Sequence, residues 1–288
     1  MSSELFTKDN KPRGKWARKI KPPKKYSPLI EFSLFQKIQF LLMHPKKIFV
    51  AGLESVLREK TPVITDLVYQ NRMSTELGEY LDWYFSSKGF LHSIDWMGIP
   101  TRKIPMDMWV YQEIIVETKP DFIIEIGAFY GGSTLFLAQV CEGLGKGKVI
   151  SIDISHDFFM ATHPRIEKIT GDCSNSHIIS KVKEMVQHGT VMVIHDGDHN
   201  AAAVKRDLDL YAPLVSPGMY LIVEDGVVDL FNPSCCKLGK TYPNGGPLKA
   251  SREFLSTSSE EFELDMRRER FILTTNPEGY LRRKTDNK

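Results

Sequence analysis

The rhythm of apolar and polar positions changes near residue 120. Before it, apolar residues recur at helical spacing. Leu34, Phe35, Ile38, Leu41 and Leu42 share one face of a segment read as helical over 29–60, with Pro45 as an interruption. "STELGEYLDWYFSSK" (74–88) repeats the helical pattern, with Ser74 as its N-cap. The loop 96–107 then leads into the helix "MWVYQEIIVET". After residue 120, short apolar runs alternate with helical stretches. "FIIEI" (122–126), "KVISID" (148–153), "RIEKITG" (165–171), "TVMVIHD" (190–196) and "MYLIVED" (219–225) read as strands; 132–143, 176–187 and 200–212 read as helices. Such alternation predicts a parallel sheet covered on both faces. "EEFELD" and "RFILTTN" near the C-terminus are expected to add an antiparallel edge pair. The expected fold is α/β, a Rossmann-like doubly wound sheet of about seven strands with an N-terminal helical extension. The expected divisions are a flexible tail at 1–28, the extension at 29–95 and the main domain at 96–288.

Chemistry first enters at the turn after the first strand. "IIEIGAFYGGSTLFLA" (123–138) passes from strand to helix through Gly127, Gly131 and Gly132, with Glu125 close to the strand's end. Open α/β sheets bind ligands beyond the carboxyl ends of their strands, where the strand order reverses. Gly127 permits a tight turn and close backbone approach, while Gly131 and Gly132 open the helix. Strand–helix packing is the alternative explanation of the same glycines. The spacing is not that of the G-x-G-x-x-G dinucleotide turn, and no GK[ST] follows, which excludes a Walker loop. The second strand ends in Asp153, whose carboxylate can accept from both hydroxyls of a ribose. NAD enzymes use the same device, so Asp153 does not discriminate. "GDCS" (171–174) sets Asp172, with Cys173 beside it, against an adenine edge, and Ser133 follows the glycines. Glu125 favours S-adenosylmethionine, a cationic ligand without phosphates.

The fourth and fifth strand tips carry "HDGDH" (His195, Asp196, Asp198, His199) and "VEDG" (Glu224, Asp225). Strands four and five are neighbours in a doubly wound sheet, so these groups converge on one rim. Several acids so close cannot all stay ionised without a cation. Oxygen ligands suit a hard divalent ion such as magnesium. Helix caps and solvated loop ends are the bland explanation of the same acids.

Composition changes this picture in two places. Net charge is +2, but residues 1–25 hold nine Lys or Arg against Glu4 and Asp9, so that segment is +7 and the remainder −5. The basic arm runs into "LIEFSLFQKIQFLLM", a pattern of interfacial membrane binding, although amphipathic helices more often pack on protein. "SPLIEFSLFQKIQFLLM" is too short and too charged to span a bilayer. Four cysteines (Cys141, Cys173, Cys235, Cys236) show no metal-ligand spacing and no disulfide framework, and no signal peptide is visible. A reducing, cytoplasmic compartment is expected.

"IDWMGIPTRKIPMDMWVYQEIIVETKPDFIIEIGAFYGGSTLFLA", "DGDH…YAPLVSPGMYLIVEDG" and "GGPLKASREFL…RRERFILTTNPEGYL" together resemble the cephalosporin hydroxylase family over roughly residues 75–283. Despite its name, that family comprises S-adenosylmethionine-dependent, metal-assisted methyltransferases, including rhamnosyl O-methyltransferases. The resemblance implies magnesium on Asp196, Glu224 and Asp225, with Asp196 also near the cofactor. It implies Asp198 as general base, with His199 as the second candidate. The implied acceptor is a sugar hydroxyl in a glycan, glycolipid or glycosylated natural product. A homo-oligomer is expected, with no nucleic-acid partner and with possible peripheral membrane contact through the basic arm. The alternatives are methylation of a non-sugar small molecule and a nicotinamide-dependent oxidoreductase.

Overall fold

The computed structural model describes residues 94–230, 242–271 and 273–285. All belong to the larger of the chain's two compact units, residues 62–288. The basic tail, the helices expected over 29–60 and 74–88, and residues 231–241 with Cys235 and Cys236 lie outside the described residues.

A two-stranded hairpin comes first, β1 (Asp95–Trp96) against β2 (Ile99–Pro100), and was not anticipated. Its turn residues Met97 and Gly98 both have positive φ, 53° and 82°, the conformation of a two-residue hairpin turn. The Trp96 ring stands edge-on to Phe136 at 5.0 Å, and its Nε1 donates to Gln139 Oε1 at 2.7 Å. Gly132 is required by this contact, because a Cβ there would meet Pro100 O at 2.5 Å. The hairpin thereby delivers Thr101, Arg102 and Lys103 to the edge of the sheet.

The main sheet has seven strands: β3 (Phe122–Ile126), β4 (Lys148–Asp153), β5 (Ile166–Thr170), β6 (Val191–His195), β7 (Tyr220–Val223), β8 (Phe262–Leu264) and β9 (Tyr280–Arg283). Their spatial order is β5-β4-β3-β6-β7-β9-β8. The first five are mutually parallel, while β9 runs antiparallel to β7 and β8. The α/β doubly wound reading therefore holds. One expected strand does not: the described residues of "RFILTTN" form none, and the strand pairing with β8 is β9, further along the chain. The β-branched composition here is misleading, because Thr274, Thr275 and Asn276 are buried and turned to a helix rather than a strand, the two threonines bonding the Asp107 carboxylate and Asn276 the Tyr111 hydroxyl.

Among the described residues five helices cover the sheet: α1 (Pro105–Thr118), α2 (Gly132–Gly143), α3 (Ser176–Val186), α4 (Ala201–Tyr211) and α5 (Pro247–Ser258). Pro105 opens α1 at a position that needs no amide donor, and Lys119 closes it in the left-handed region just before Pro120. Successive strand residues enter opposite layers. Ile123, Met192 and Ile222 pack with α1 and α2; Ile124, Val193 and Leu221 pack with α3, α4 and α5. Each fully buried aliphatic chain contributes roughly 1.5–3 kcal/mol relative to exposure. Burial on both faces explains why these strands read as continuous apolar runs.

Candidate active site

β3 connects to β4 on one side, and after β5 the chain crosses back to place β6 on the other. The order reverses between β3 and β6, and their carboxyl ends open into a cleft of about 810 Å³. Gly127 is at its floor with φ +86°, where a Cβ would fall 1.9 Å from the Asp196 carbonyl oxygen. Phe129 and Gly131 also have positive φ, so the turn reverses within a few residues. Gly131 also makes room for the Phe159 ring, which a Cβ would meet at 2.6 Å. Packing thus accounts for Gly131 and Gly132, and only Gly127 of the three lines the cleft.

The amides of this turn are already committed. Ala128 N and Phe129 N donate to Asp153 Oδ2 at 2.8 and 2.9 Å, and Ser155 N donates to Oδ1 at 3.2 Å. In a dinucleotide turn such amides would face a pyrophosphate. Here they face an acid of the protein. Asp153 lines the cleft, but three of the roughly four acceptor positions of a carboxylate are used internally. Glu125 departs further from expectation. It is fully buried and does not line the cleft: Ser133 Oγ donates to its Oε1 at 2.5 Å, and Thr134 Oγ1 to its Oε2. It ties β3 to the start of α2, so Glu125 is placed as a structural acid rather than a ligand contact. Ser133 does reach the cleft, as do Asp172 and Cys173. Asp172 accepts from Ser174 N and Oγ, both at 2.8 Å, and Cys173 Sγ is 3.3 Å from Asp207 Oδ2. Burial and the Asp207 carboxylate push the Cys173 thiol up to about 12.

Opposite the turn, the ends of β6 and β7 form the acid rim. Asp196, Asp198, His199 and Asp225 line the cleft; Glu224 does not. One oxygen each of Asp196 and Asp225 and one nitrogen of His199 lie within 4.8 Å of one another. His199 Nε2 is 3.4 Å from Asp196 Oδ1 and 3.7 Å from Asp225 Oδ2, and Tyr242 OH is 3.4 Å from its Nδ1. Burial opposes the charge on His199, but the bond to Asp196 and the Asp225 carboxylate outweigh it and raise the ring to about 9. Burial, with Asp196 beside it, raises Asp225 to about 6 against the pull of His199 and Lys103. Asp196 goes the other way, to about 2, because Lys103 and His199 overcome its burial. Asp198 is exposed and accepts from Asn200 N at 2.8 Å and Nδ2 at 2.5 Å, just before α4.

Lys103 was not anticipated. It is 5% exposed, and its Nζ donates to Asp196 Oδ2 and, at 2.5 Å, to Glu224 Oε2. Glu224, expected at the metal with Asp196 and Asp225, is instead turned to this ammonium. Its Oε1 is buried without a hydrogen-bond partner among the described residues. The group with ligand spacing is Asp196, His199 and Asp225. Nothing in "TRKIPMD" marks Lys103 as buried, because its partners are 93 and 121 residues away. The residues that anchor Asp225 were also missed: its N–H donates to Asn276 Oδ1 at 3.1 Å, and it has φ 57°.

The sequence profile of the rhamnosyl O-methyltransferase/CmcI family matches residues 88–284. A rhamnosyl O-methyltransferase of Mycobacterium leprae is 32% identical over 236 residues, covering 79% of this chain and 99% of its own. The rhamnosyl O-methyltransferase of Mycobacterium bovis is 32% identical over 214 residues, covering 70% of this chain and 83% of its own. Among solved structures, CmcI with Mg and SAM superposes with a TM-score of 0.52 at 21% identity, covering 67% of this chain and 78% of that one. This last likeness speaks for the fold.

Proposed function

The chain belongs to the rhamnosyl O-methyltransferase/CmcI family, and on that footing we propose that it is an S-adenosylmethionine-dependent, magnesium-assisted O-methyltransferase acting on a sugar hydroxyl. One observation carries the cofactor reading. The cleft at the switch point presents Asp153, Asp172, Asp196, Asp198 and Asp225, while the turn amides that would hold a phosphate are taken by Asp153. Arg102 and Arg206 also line the cleft, but the carboxylates outnumber them, which favours a sulfonium cation over a pyrophosphate. The same point weighs against the nicotinamide alternative.

The rim fits a divalent cation. Asp196 and Asp225 face the cleft with His199 between them, burial and the neighbouring Asp196 push Asp225 up to about 6 against the pull of His199 and Lys103, and one oxygen of Glu224 is an orphan among the described residues. Asp196 and Asp225 are the residues placed to hold the ion. When bound, such an ion lowers the pKa of a coordinated hydroxyl and fixes its orientation. The chain supplies the rest. The turn at Gly127 and the acids around it orient the cofactor, and alignment of the methyl group with the acceptor oxygen supplies much of the acceleration. Two groups in the cleft can take the acceptor's proton. Asp198 presents a carboxylate at the surface; His199 becomes an acceptor only once the acids flanking it are neutralised.

Titration calorimetry tests the reading: S-adenosylmethionine should bind and NAD should not. EDTA should remove methyl transfer to a rhamnoside, and magnesium should restore it. Asp225→Asn should lower the rate by at least about a hundredfold, the scale of a lost electrostatic contact to developing charge. NAD binding without S-adenosylmethionine binding would sink the proposal. Asp198→Asn and His199→Gln, compared by kcat, assign the base. Contact of the basic arm with anionic membrane surfaces completes the proposal, supported by the +7 charge of residues 1–25.

A further inference from the structure

Lys103 is the one lysine among the described residues that is buried. It reaches the rim from the segment between β2 and α1, and its ammonium bridges the tip of β6, through Asp196, to the tip of β7, through Glu224. Glu125 of β3 adds to the field around it. Three carboxylates this close, two of them fully buried, are costly without a cation, and breaking such a pair from one side leaves the other charge stranded. Lys103 holds one oxygen of Asp196, while the other oxygen of the same carboxylate faces His199 and the cleft. The two sides of Asp196 are therefore divided between a cation of the protein and the open rim.

We propose that Lys103 is a positioning residue, a resident cation that holds Asp196 and Glu224 in place in the metal-free protein and sets a limit on how tightly the rim binds a divalent ion. This rests on the reading of the rim as a metal site. Two consequences follow from one charge. Without Lys103 the empty rim is overloaded with negative charge and the protein loses stability. The same excess makes a divalent ion bind more tightly, so the ion takes over the lysine's structural work. A residue that merely filled space would lower stability without raising metal affinity.

The experiment uses the full-length chain, with Mn²⁺ as the probe, followed by calorimetry and by thermal unfolding with and without the ion. Lys103→Gln removes the charge and leaves a hydrogen-bond donor on a side chain one atom shorter. The expected result is a lower Tm than wild type without metal, a larger rise in Tm on adding Mn²⁺, and a Kd about tenfold tighter, the scale of one unit charge at short range in a partly solvated site. An equal or weaker Kd would overturn the proposal. If the variant is unfolded without metal, recovery of native circular dichroism in millimolar Mn²⁺ supports it and failure to recover overturns it. Mn²⁺ binding by neither protein would overturn both this proposal and the metal-site reading. Binding by the wild type with an unchanged variant would overturn this proposal alone.

Discussion

Gly127 and Gly98 share nearly the same backbone conformation, φ +86° and +82°, in opposite surroundings. Around Gly98 a Cβ would meet nothing within 4 Å, whereas at Gly127 it would meet the Asp196 carbonyl at 1.9 Å. Gly98→Ala therefore costs about 1 kcal/mol, the strain of a left-handed L-residue, and leaves the cleft unchanged. Gly127→Ala adds a clash of backbone with side chain that only separation of β3 from β6 relieves, and that separation moves Asp196. We expect a stability loss clearly larger than that of Gly98→Ala, with loss of cofactor binding. Denaturant titration and calorimetry on both variants check this. Equal losses, with binding intact in each, would show that close approach at Gly127 does not matter. The glycines were legible as a turn, but their separate reasons were not, since each depends on a neighbour distant in sequence.

Between elements, the C-terminal segment is bound to α1 by one carboxylate. Asp107 accepts from Thr274 Oγ1 at 2.5 Å, from Thr275 N and Oγ1 at 2.8 Å each, and from Tyr280 OH at 3.0 Å. Asn276, next in the chain, donates to Tyr111 OH at 2.7 Å and accepts from Asp225 N. Thr275 O also accepts from Val227 N at 3.1 Å. The route from α1 to the metal rim thus passes through three consecutive polar residues. Asp107→Ala removes the acceptor for four buried donors and should destabilise by roughly 3 kcal/mol or more, given about 1–3 kcal/mol for each group left unpaired. It should also weaken Mn²⁺ binding, because the support of Asp225 loosens. Chemical denaturation with metal titration of the folded fraction tests both, and metal affinity equal to wild type would detach the network from the site. The same three residues explain the misplaced strand: their side chains are spent on α1, and "YLRR" takes the sheet position instead.

At the scale of the whole molecule, charge is segregated. The arm before residue 26 is strongly basic, and the cleft is acidic. If the arm meets anionic membranes, each Lys or Arg contributes on the order of 1 kcal/mol near the surface, and binding falls as salt screens it. Flotation with anionic liposomes at low and high salt, comparing the full chain with one beginning near Ser27, should show binding that depends on both arm and salt. Binding indifferent to removal of the arm would assign those residues another role.

The order of elements, the doubly wound sheet and the convergence of acids at the tips of β6 and β7 were determined by the sequence itself. Burial on both faces imposes apolar runs, and a parallel sheet brings consecutive strand tips to one edge. Which acids face the cleft was decided only by tertiary structure. Glu125 is on β3 and Glu224 follows the last residue of β7, where the pattern is compatible with either direction, and their fates follow from Ser133, Thr134 and Lys103. Lys103 itself is brought to the rim by a hairpin fastened to α2 through Trp96 and Gly132. A charged group is placed by the partner that compensates it, and that partner is chosen by packing across the fold, not by neighbours along the chain.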